Sequence, residues 1–285
     1  MRKRHAGNAL GNWYIDTACS DCTAARTVAP GLIVEKDGQS VFARQPQTED
    51  EIRMAWRARL LCPTASVRSD TATEQPADVF PERMTEGVYR LGYNAAHAAG
   101  AHSFLVRRDT GSIMVDSPRW TRAVTAKLEE WGGLAHIVLT HRDDVGDAEA
   151  YAKHFGALVW IHEWDRAAAK FVSDLIRGRE PTAIVENFIA VPVPGHTKGS
   201  VVFLHDGHCL FTGDSLAWDF EEGDLSAWRE FCWYSWDKQA TSLARLAAYD
   251  FDWVFAGHGG SHHLPAREMR ARLEALVARM KNGEG

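Results

Sequence analysis

The chain has 285 residues, a formal net charge of −6, 45% hydrophobic residues and 25% charged residues. That length suits one large domain or a domain with a small module, and the composition is that of a folded globular protein. The acidic balance, with no basic stretch longer than Arg2-Lys3-Arg4, argues against nucleic acid or an anionic membrane as partner. No apolar run approaches the roughly 20 residues that span a bilayer, so we expect a soluble cytoplasmic protein.

The first part of the chain, residues 1–67, predicts a compact α+β unit. A short strand at 13–15 precedes a cysteine loop, and a hairpin in GLIVEKDGQSVFA is expected to turn at Asp37-Gly38. A helix is expected from Thr48 to about residue 61, because Thr48 and Glu51 have the spacing of a capping box. The polar, proline-containing stretch 68–85 predicts a linker, which leaves 86–285 as a second unit.

Beyond that stretch, predicted strands and helices alternate. Strands are expected within VYRLG, HSFLVRR and SIMVDS and at 137–140, 158–161, 189–193, 201–205, 209–212 and 253–256. Helices are expected near 121–131 and 148–155. The alternation, with several hairpins, predicts a mixed sheet system covered by helices.

Four polar residues follow apolar strands of this second unit. His141 follows IVL and Thr140, His196 follows AVPVPG, Asp214 follows CLFTG, and His258 follows WVFAG. A single histidine in such a turn is more often structural than functional. Histidine and aspartate converging from four strand ends favour a metal site, since imidazole and carboxylate ligands suit zinc or iron.

The segments THRDD, PVPGHTKGS, LFTGDSL and FAGHGG together resemble the metallo-β-lactamase fold superfamily over roughly residues 86–265. The resemblance implies an αββα sandwich with a metal site at one edge between the two sheets. It also implies that His141, His196 and Asp214 are metal ligands, with Asp214 able to bridge to a second metal that His258 would bind.

The first of these segments departs from the pattern HxHxDH of the superfamily. Asp143 takes the place of the second histidine, and a carboxylate is an acceptable ligand for zinc, iron or manganese. Val145 and Gly146 fall where the aspartate and histidine of a second metal belong. We therefore expect one complete site for Zn, Fe or Mn and a second site that lacks ligands. Asp116, at an early strand end, is expected to orient a ligating histidine.

Several neighbouring residues have two interpretations that the sequence leaves open. Asp144 and Asp147 can lend oxygens to a shifted second metal. Otherwise Asp147 is expected to cap the following helix, and Asp144 to be solvated or to support a ligand. Lys198, within GHTKGS, can bind an anionic group of a substrate or remain in solvent. The aromatic stretch that begins at Trp218 and ends at Trp236 can form a wall over the metal cleft, which would favour an aromatic or apolar substrate, or pack into the core.

Three of the five cysteines suggest a second metal group in the N-terminal unit. Cys19, Cys22 and Cys62-Pro63 resemble the CxxCxxC…CP pattern of a single-cluster bacterial ferredoxin, with Ala25 at the third cysteine position. The resemblance implies a ferredoxin-like fold. Three thiolates can hold a 3Fe–4S cluster or a 4Fe–4S cluster with one open iron, or they can be a remnant without iron. The other two cysteines are expected to be buried small apolar residues.

These features lead to hydrolysis as the expected function. A metal would activate a water molecule that attacks a small ester, thioester or lactone, and Asp214 or Asp143 would orient that water and accept its proton. The alternative is a non-haem iron oxidoreductase that receives electrons, from a separate donor, through an N-terminal iron–sulfur cluster. A third interpretation is a binding module in which both sites have decayed, although the retained GHTKGS, TGD and GHGG segments argue against it.

Overall fold

The structure is a computed structural model that describes residues 2–283. The strands of the N-terminal unit are β1 (Trp13–Ile15), β2 (Ile33–Lys36), β3 (Gln39–Phe42) and β4 (Val67–Ser69), and its helices are α1 (Ala24–Val28) and α2 (Glu49–Leu61). β1 pairs antiparallel with β4, and β2 with β3. The α+β unit predicted from the sequence is thereby confirmed.

Local sequence explains how this unit folds. The β2–β3 hairpin turns at Asp37 and Gly38, whose φ angles of 53° and 75° suit a two-residue turn with left-handed backbone. Thr48 caps α2, since its side chain accepts a hydrogen bond from the Glu51 amide and the Glu51 carboxylate accepts one from the Thr48 amide. Trp13 packs edge-to-face on Trp56 of α2, with ring centroids 5.7 Å apart, in a small apolar core.

The second unit contains most of the strands and four longer helices. Its strands are β5 (Glu82–Thr85), β6 (Val88–Arg90), β7 (Phe104–Val106), β8 (Ser112–Val115), β9 (Leu134–Val138), β10 (Leu158–His162), β11 (Asp174–Ile176), β12 (Thr182–Val185), β13 (Phe188–Pro192), β14 (Val201–His205), β15 (Cys209–Gly213), β16 (Ala217–Asp219), β17 (Asp224–Ser226), β18 (Trp253–Ala256) and β19 (His262–His263). Its helices are α3 (Arg122–Glu130), α4 (Ala148–Phe155), α5 (Trp236–Leu246) and α6 (Ala266–Lys281).

These elements form four layers. One sheet has seven strands in the order β11-β10-β9-β8-β7-β6-β5, and the other has six in the order β12-β13-β14-β15-β18-β19. A core of phenylalanine, valine and isoleucine side chains lies between the sheets. Further apolar clusters attach α3 and α4 to the outer face of the first sheet and α5 and α6 to that of the second. The expected αββα sandwich is confirmed. Strands such as β8 and β14 have nearly continuous apolar sequences because both of their faces are covered.

The predicted linker was wrong at both ends. Residues 67–69 form β4 and pair with β1, while residues 82–85 form β5 at the edge of the seven-stranded sheet.

Within the described residues 2–283, no helix is both long enough and apolar enough to cross a membrane.

The two units contact each other beside the cleft described below. Arg57 of α2 forms an ion pair with Glu82 of β5 at 2.9 Å. The imidazole of His102, just before β7, lies 3.0 Å from the hydroxyl of Thr27 in α1. That hydroxyl donates to the Ala24 carbonyl, so His102 Nε2 donates to Thr27, and the imidazole joins the two units.

Candidate metal centre

The candidate metal residues lie at one edge of the sandwich, where strands from both sheets end. His141 follows β9, His196 lies in the loop between β13 and β14, Asp214 follows β15, and His258 follows β18. Because β15 and β18 run parallel, Asp214 and His258 leave the six-stranded sheet at the same edge. The sequence places these side chains on rigid strand ends, and the structure brings them together.

One compact group consists of His141, His196 and Asp214, whose potential ligand atoms all lie within 4.8 Å of one another. The Nε2 atoms of both histidines lie 3.7 Å from Asp214 Oδ2. Ligands around a tetrahedral zinc stand about 3.3–3.4 Å apart when the metal–nitrogen distance is about 2.0–2.1 Å, so this spacing fits a metal. Asp143 Oδ2 lies 3.5 Å from His196 Nε2 and 3.9 Å from His141 Nε2, and its side chain remains 44% exposed.

Hydrogen bonds on the far side of each imidazole orient it toward this centre. Thr140 donates its hydroxyl proton to Asp116 Oδ2 at 2.9 Å and therefore accepts from His141 Nδ1 at 3.0 Å. His196 Nδ1 donates to the Phe231 carbonyl at 2.6 Å. Both histidines are thus held with the lone pair of Nε2 directed into the site, as metal ligands require.

Unpartnered buried atoms show that the site fits a cation. His141 Nε2, His196 Nε2, Asp144 Oδ2 and Asp214 Oδ1 have no hydrogen-bond partner among the described residues. Burial lowers the pKa of His141 to about 4, so its imidazole is neutral at pH 7. Burial and the charge of Asp214 raise the pKa of Asp144 well above its usual value. A bound cation would satisfy the free lone pairs and relieve the repulsion between these carboxylates.

A second compact group consists of Asp144, Asp214 and His258, with ligand atoms again within 4.8 Å of one another. The side chain of Asp144 is only 2% exposed, so the expectation of a solvated Asp144 was wrong. Gly257 leaves space for both carboxylates, because a Cβ there would lie 2.8 Å from Asp144 Oδ2 and 2.9 Å from Asp214 Oδ1. The donor set fits a second cation, with Asp214 between the two positions.

Backbone packing after Asp144 leaves no space for a side chain at position 146, where the superfamily pattern HxHxDH has a histidine. Gly146 has a φ of 51°, and a Cβ on it would lie 2.0 Å from the Ser117 carbonyl oxygen. The loop therefore packs against the strand end after β8 so closely that no side chain fits at position 146. Asp144, two residues earlier, supplies the carboxylate of the second group instead.

Asp147 has a different role from the one expected. It is the N-cap residue of α4, yet its side chain makes no capping hydrogen bond. Asp147 Oδ2 accepts a hydrogen bond from the Trp120 amide at 2.5 Å, and Oδ1 lies 3.5 Å from His97 Nε2. Asp147 thus ties the start of α4 to the loop before α3, away from both ligand groups.

Asp165 supports both metal loops, although no motif in the sequence indicates it. Its buried carboxylate accepts hydrogen bonds from the Arg142 amide at 3.1 Å, from the Thr197 hydroxyl at 2.5 Å and from the Gly199 amide at 3.2 Å. The loop that carries His141 and the loop that carries His196 are therefore held by one side chain. Only the three-dimensional structure could identify Asp165, because it follows β10 in an ordinary stretch of sequence.

A cleft with a volume of about 1150 Å³ opens onto the ligand groups. The N-terminal unit and the aromatic stretch both line it, and Trp218 contributes although it is only 7% exposed and stacks on His262 at 3.8 Å. Lys198 does not line the cleft, because its Nζ lies over the Trp164 ring at 4.8 Å. The suggested contact between Lys198 and a substrate has no support in the structure.

The three N-terminal cysteines line one small closed cavity together with Ala25. The Cys19 sulfur accepts a hydrogen bond from the Asp21 amide at 3.4 Å, and the Cys62 sulfur accepts one from the Ser66 amide at 3.2 Å. Burial, with the nearby thiols of Cys62 and Cys19, raises the pKa of Cys22 to about 11. The three cysteines are candidate ligands of an iron–sulfur cluster, but the cavity between them measures only about 10 Å³ and Ala25 offers no fourth donor atom.

Comparisons with known proteins agree with both parts of the fold. Residues 15–69 match the family model of the 4Fe-4S single cluster domain of Ferredoxin I. Over 114 residues the chain is 31% identical to a hydroxyacylglutathione hydrolase of Xanthomonas campestris, covering 39% of this chain and 44% of that protein. A hydroxyacylglutathione hydrolase of Anaeromyxobacter dehalogenans is 41% identical over 80 residues, covering 27% of this chain and 30% of that protein. The match thus spans less than half the length of these relatives.

Solved structures show the fold of the second unit. VMB-1 superposes with a TM-score of 0.53 at 19% identity, covering 71% of this chain and 96% of that one. DIM-1 metallo-β-lactamase superposes with a TM-score of 0.52 at 17% identity, covering 69% of this chain and 95% of that one. At this identity the likeness concerns architecture alone, and it confirms the metallo-β-lactamase fold.

Proposed function

We propose that this chain, with its metallo-β-lactamase fold and ferredoxin-like N-terminal unit, is a metal-dependent hydrolase of a small ester, thioester or lactone. One observation carries the proposal: His141, His196 and Asp214 converge at a cleft, and His141 Nε2, His196 Nε2 and Asp214 Oδ1 have no hydrogen-bond partner among residues 2–283. His141, His196 and Asp214, with Asp143 at the open side, would hold the first metal, whereas Asp144, Asp214 and His258 would hold the second. When bound, the metal supplies a water of lowered pKa and polarises the substrate carbonyl.

The side chains around the site divide the remaining tasks. Asp143 is the exposed carboxylate of the group, so it is placed to orient the attacking water and to accept its proton. Asp214 is 13% exposed and belongs to both ligand groups, so it links the two candidate metal positions. His141 and His196 present the lone pair of Nε2 to the metal because Nδ1 carries the proton, which His141 donates to Thr140 and His196 to the Phe231 carbonyl.

The substrate class follows from chemistry and from the relatives. A site that polarises one carbonyl and activates one water suits acyl transfer to water, and thioesters and lactones react by that route. The matched proteins are named hydroxyacylglutathione hydrolases, a name that points to thioester cleavage. A thioester is therefore the first substrate to test, followed by a small ester and a lactone.

The test uses the full chain stripped of metal by a chelator and then reloaded with Zn²⁺, Mn²⁺ or Fe²⁺. Thioester hydrolysis should return on reloading and should be lost in His196→Ala. His208→Ala is the matched control, because His208 is an exposed histidine paired with Asp252. Equal turnover in His196→Ala and His208→Ala, or no metal uptake at all, would refute the proposal.

A redox function is the second candidate, and one observation favours it. The cysteine cavity and the metal cleft share wall residues, namely Ser20, Cys22, Thr23 and Thr64. A cluster at the cysteines would therefore sit beside the metals and serve to pass electrons from an external donor. Iron and labile sulfide in protein purified without oxygen, with absorption near roughly 400 nm, would support this function. Zinc alone with hydrolytic turnover would contradict it.

A further inference from the structure

The cleft exposes large aromatic side chains to an unusual degree. Phe220 is 45% exposed, Phe231 is 55% exposed and Trp233 is 57% exposed, and all three line the cleft. Folded proteins seldom leave several large apolar side chains together in contact with water unless the surface binds something. The exposure therefore indicates a contact for an apolar ligand.

These aromatic residues are fixed to the metal ligands. The Phe231 carbonyl accepts a hydrogen bond from His196 Nδ1, and the Trp233 amide donates to the His196 carbonyl at 2.9 Å. Phe220 packs against the turn that carries His258, since a Cβ on Gly260 would lie 2.6 Å from its ring. The aromatic surface is thus held at a fixed position relative to the reacting centre, where it can select the group attached to the carbonyl.

The N-terminal unit supplies further apolar lining of the same cleft. Pro30 and the half-buried Val34 of β2 line it together with the aromatic rings. The volume of about 1150 Å³ exceeds the upper range of roughly 300–1,000 Å³ that is usual for small-molecule sites, so a bulky group fits.

The charges along the cleft disfavour an anionic ligand. Asp219, Glu221 and Glu230 line it and add negative charge outside the metal groups. The two arginines that line the cleft already have carboxylate partners, since Arg26 forms an ion pair with Asp21 and Arg142 lies 3.6 Å from Asp143. An additional carboxylate on the ligand would meet repulsion from the acidic residues.

We propose that the cleft takes a substrate with a bulky aromatic acyl group and no carboxylate of its own. The aromatic group lies against Phe220, Phe231 and Trp233. The N-terminal unit lines the same cleft and restricts which groups fit there. This inference rests on the proposed hydrolase function, because it names the substrate class of the same site.

The test separates binding from turnover. Calorimetry with the metal-loaded full chain compares N-ethyl-2-naphthylacetamide, which is not a thioester, with N-ethylacetamide and with a naphthyl analogue that carries a carboxylate. The corresponding S-ethyl thioesters are assayed for hydrolysis by thiol release. We expect the neutral naphthyl amide to bind at least tenfold more tightly than the acetyl amide, and the carboxylate analogue to bind about threefold more weakly than the neutral one.

Three variants locate the contact. Phe231→Ala and Trp233→Ala should each reduce the naphthyl-to-acetyl affinity ratio about tenfold. Val34→Asp, in the N-terminal unit, should also reduce this ratio. Leu158→Ala, which removes a 45% exposed apolar side chain outside the cleft, should leave the ratio unchanged.

The outcomes of the two proposals remain distinct. An unchanged ratio in all three cleft variants, or equal affinity for the naphthyl and acetyl amides, would overturn the proposed substrate class. Normal discrimination between the amides without cleavage of any thioester would instead refute hydrolysis and leave the aromatic binding site in place.

Discussion

Thr140→Val is expected to weaken metal binding although Thr140 itself binds no metal. Its hydroxyl connects Asp116 Oδ2, at 2.9 Å, to His141 Nδ1, at 3.0 Å. Valine has nearly the same shape but cannot accept the Nδ1 proton. His141 then loses the hydrogen bond that fixes its ring and directs Nε2 toward the cation.

The size of the effect follows from the two lost hydrogen bonds. Loss of a hydrogen bond that supports a ligating histidine typically reduces metal affinity about 10–100-fold, or about 1.4–2.8 kcal/mol. The valine also leaves the buried Asp116 Oδ2 and His141 Nδ1 without the Thr140 hydroxyl, at a cost of about 1–3 kcal/mol each in the free energy of folding. We therefore expect weaker metal binding together with a lower unfolding midpoint in the metal-free protein.

Competition with a chromophoric zinc chelator measures the affinity, and urea unfolding of the metal-free protein measures the stability. Thr125→Val is the control, because Thr125 is also buried and its hydroxyl bonds the Thr121 carbonyl at 3.1 Å, in helix α3 and its cap. If the metal affinity of Thr140→Val is within twofold of wild type, the hydrogen bonds that join Asp116, Thr140 and His141 do not orient the His141 ring. Equal losses of affinity in both variants would show a general effect of destabilisation.

Three further outcomes are expected. Asp144→Ala should reduce the metal content from two ions per chain to one, as measured by elemental analysis, since Asp144 belongs only to the second ligand group. Cys62→Ser should reduce iron and labile sulfide in protein purified without oxygen, whereas Cys209→Ser, which alters a buried cysteine far from the cavity, should not. Burial holds the pKa of His102 well below its usual value, so the native state favours the neutral imidazole. Stability conferred by the neutral His102 is present above the pKa of the unfolded chain, about 6.5, and is lost as the pH falls below it, so His102→Gln should show a smaller loss of stability on acidification in urea unfolding.

The strand ends and the positions of the candidate metal residues could be predicted from the sequence because both depend on local signals. An apolar run followed by glycine and a histidine or aspartate gives a strand, a turn and a ligand position, as for Asp214 after β15. The hairpin at Asp37-Gly38 and the cap at Thr48 could be predicted for the same reason.

Contacts between distant segments could not be predicted in this way. Asp144 falls one position before the aspartate of the family pattern, and only the path of the backbone around Gly146 shows that its carboxylate reaches Asp214. Asp165 joins two loops through hydrogen bonds to residues more than twenty positions away, and His102 joins the two units. The sequence left open whether the aromatic stretch forms a wall over the cleft or packs into the core, because an apolar residue in a loop carries no sign of which side it faces. In the structure several of its rings line the cleft.

The contact between Gly146 and the Ser117 carbonyl limits how this protein can change. A histidine at position 146 requires a side chain where the Ser117 carbonyl oxygen, just after β8, already lies 2.0 Å from the Cβ position. Gly146→His therefore would not recover a missing ligand; it would push two strand ends apart. A histidine ligand at this position would need changes in both loops at once, so no single substitution at position 146 can supply it.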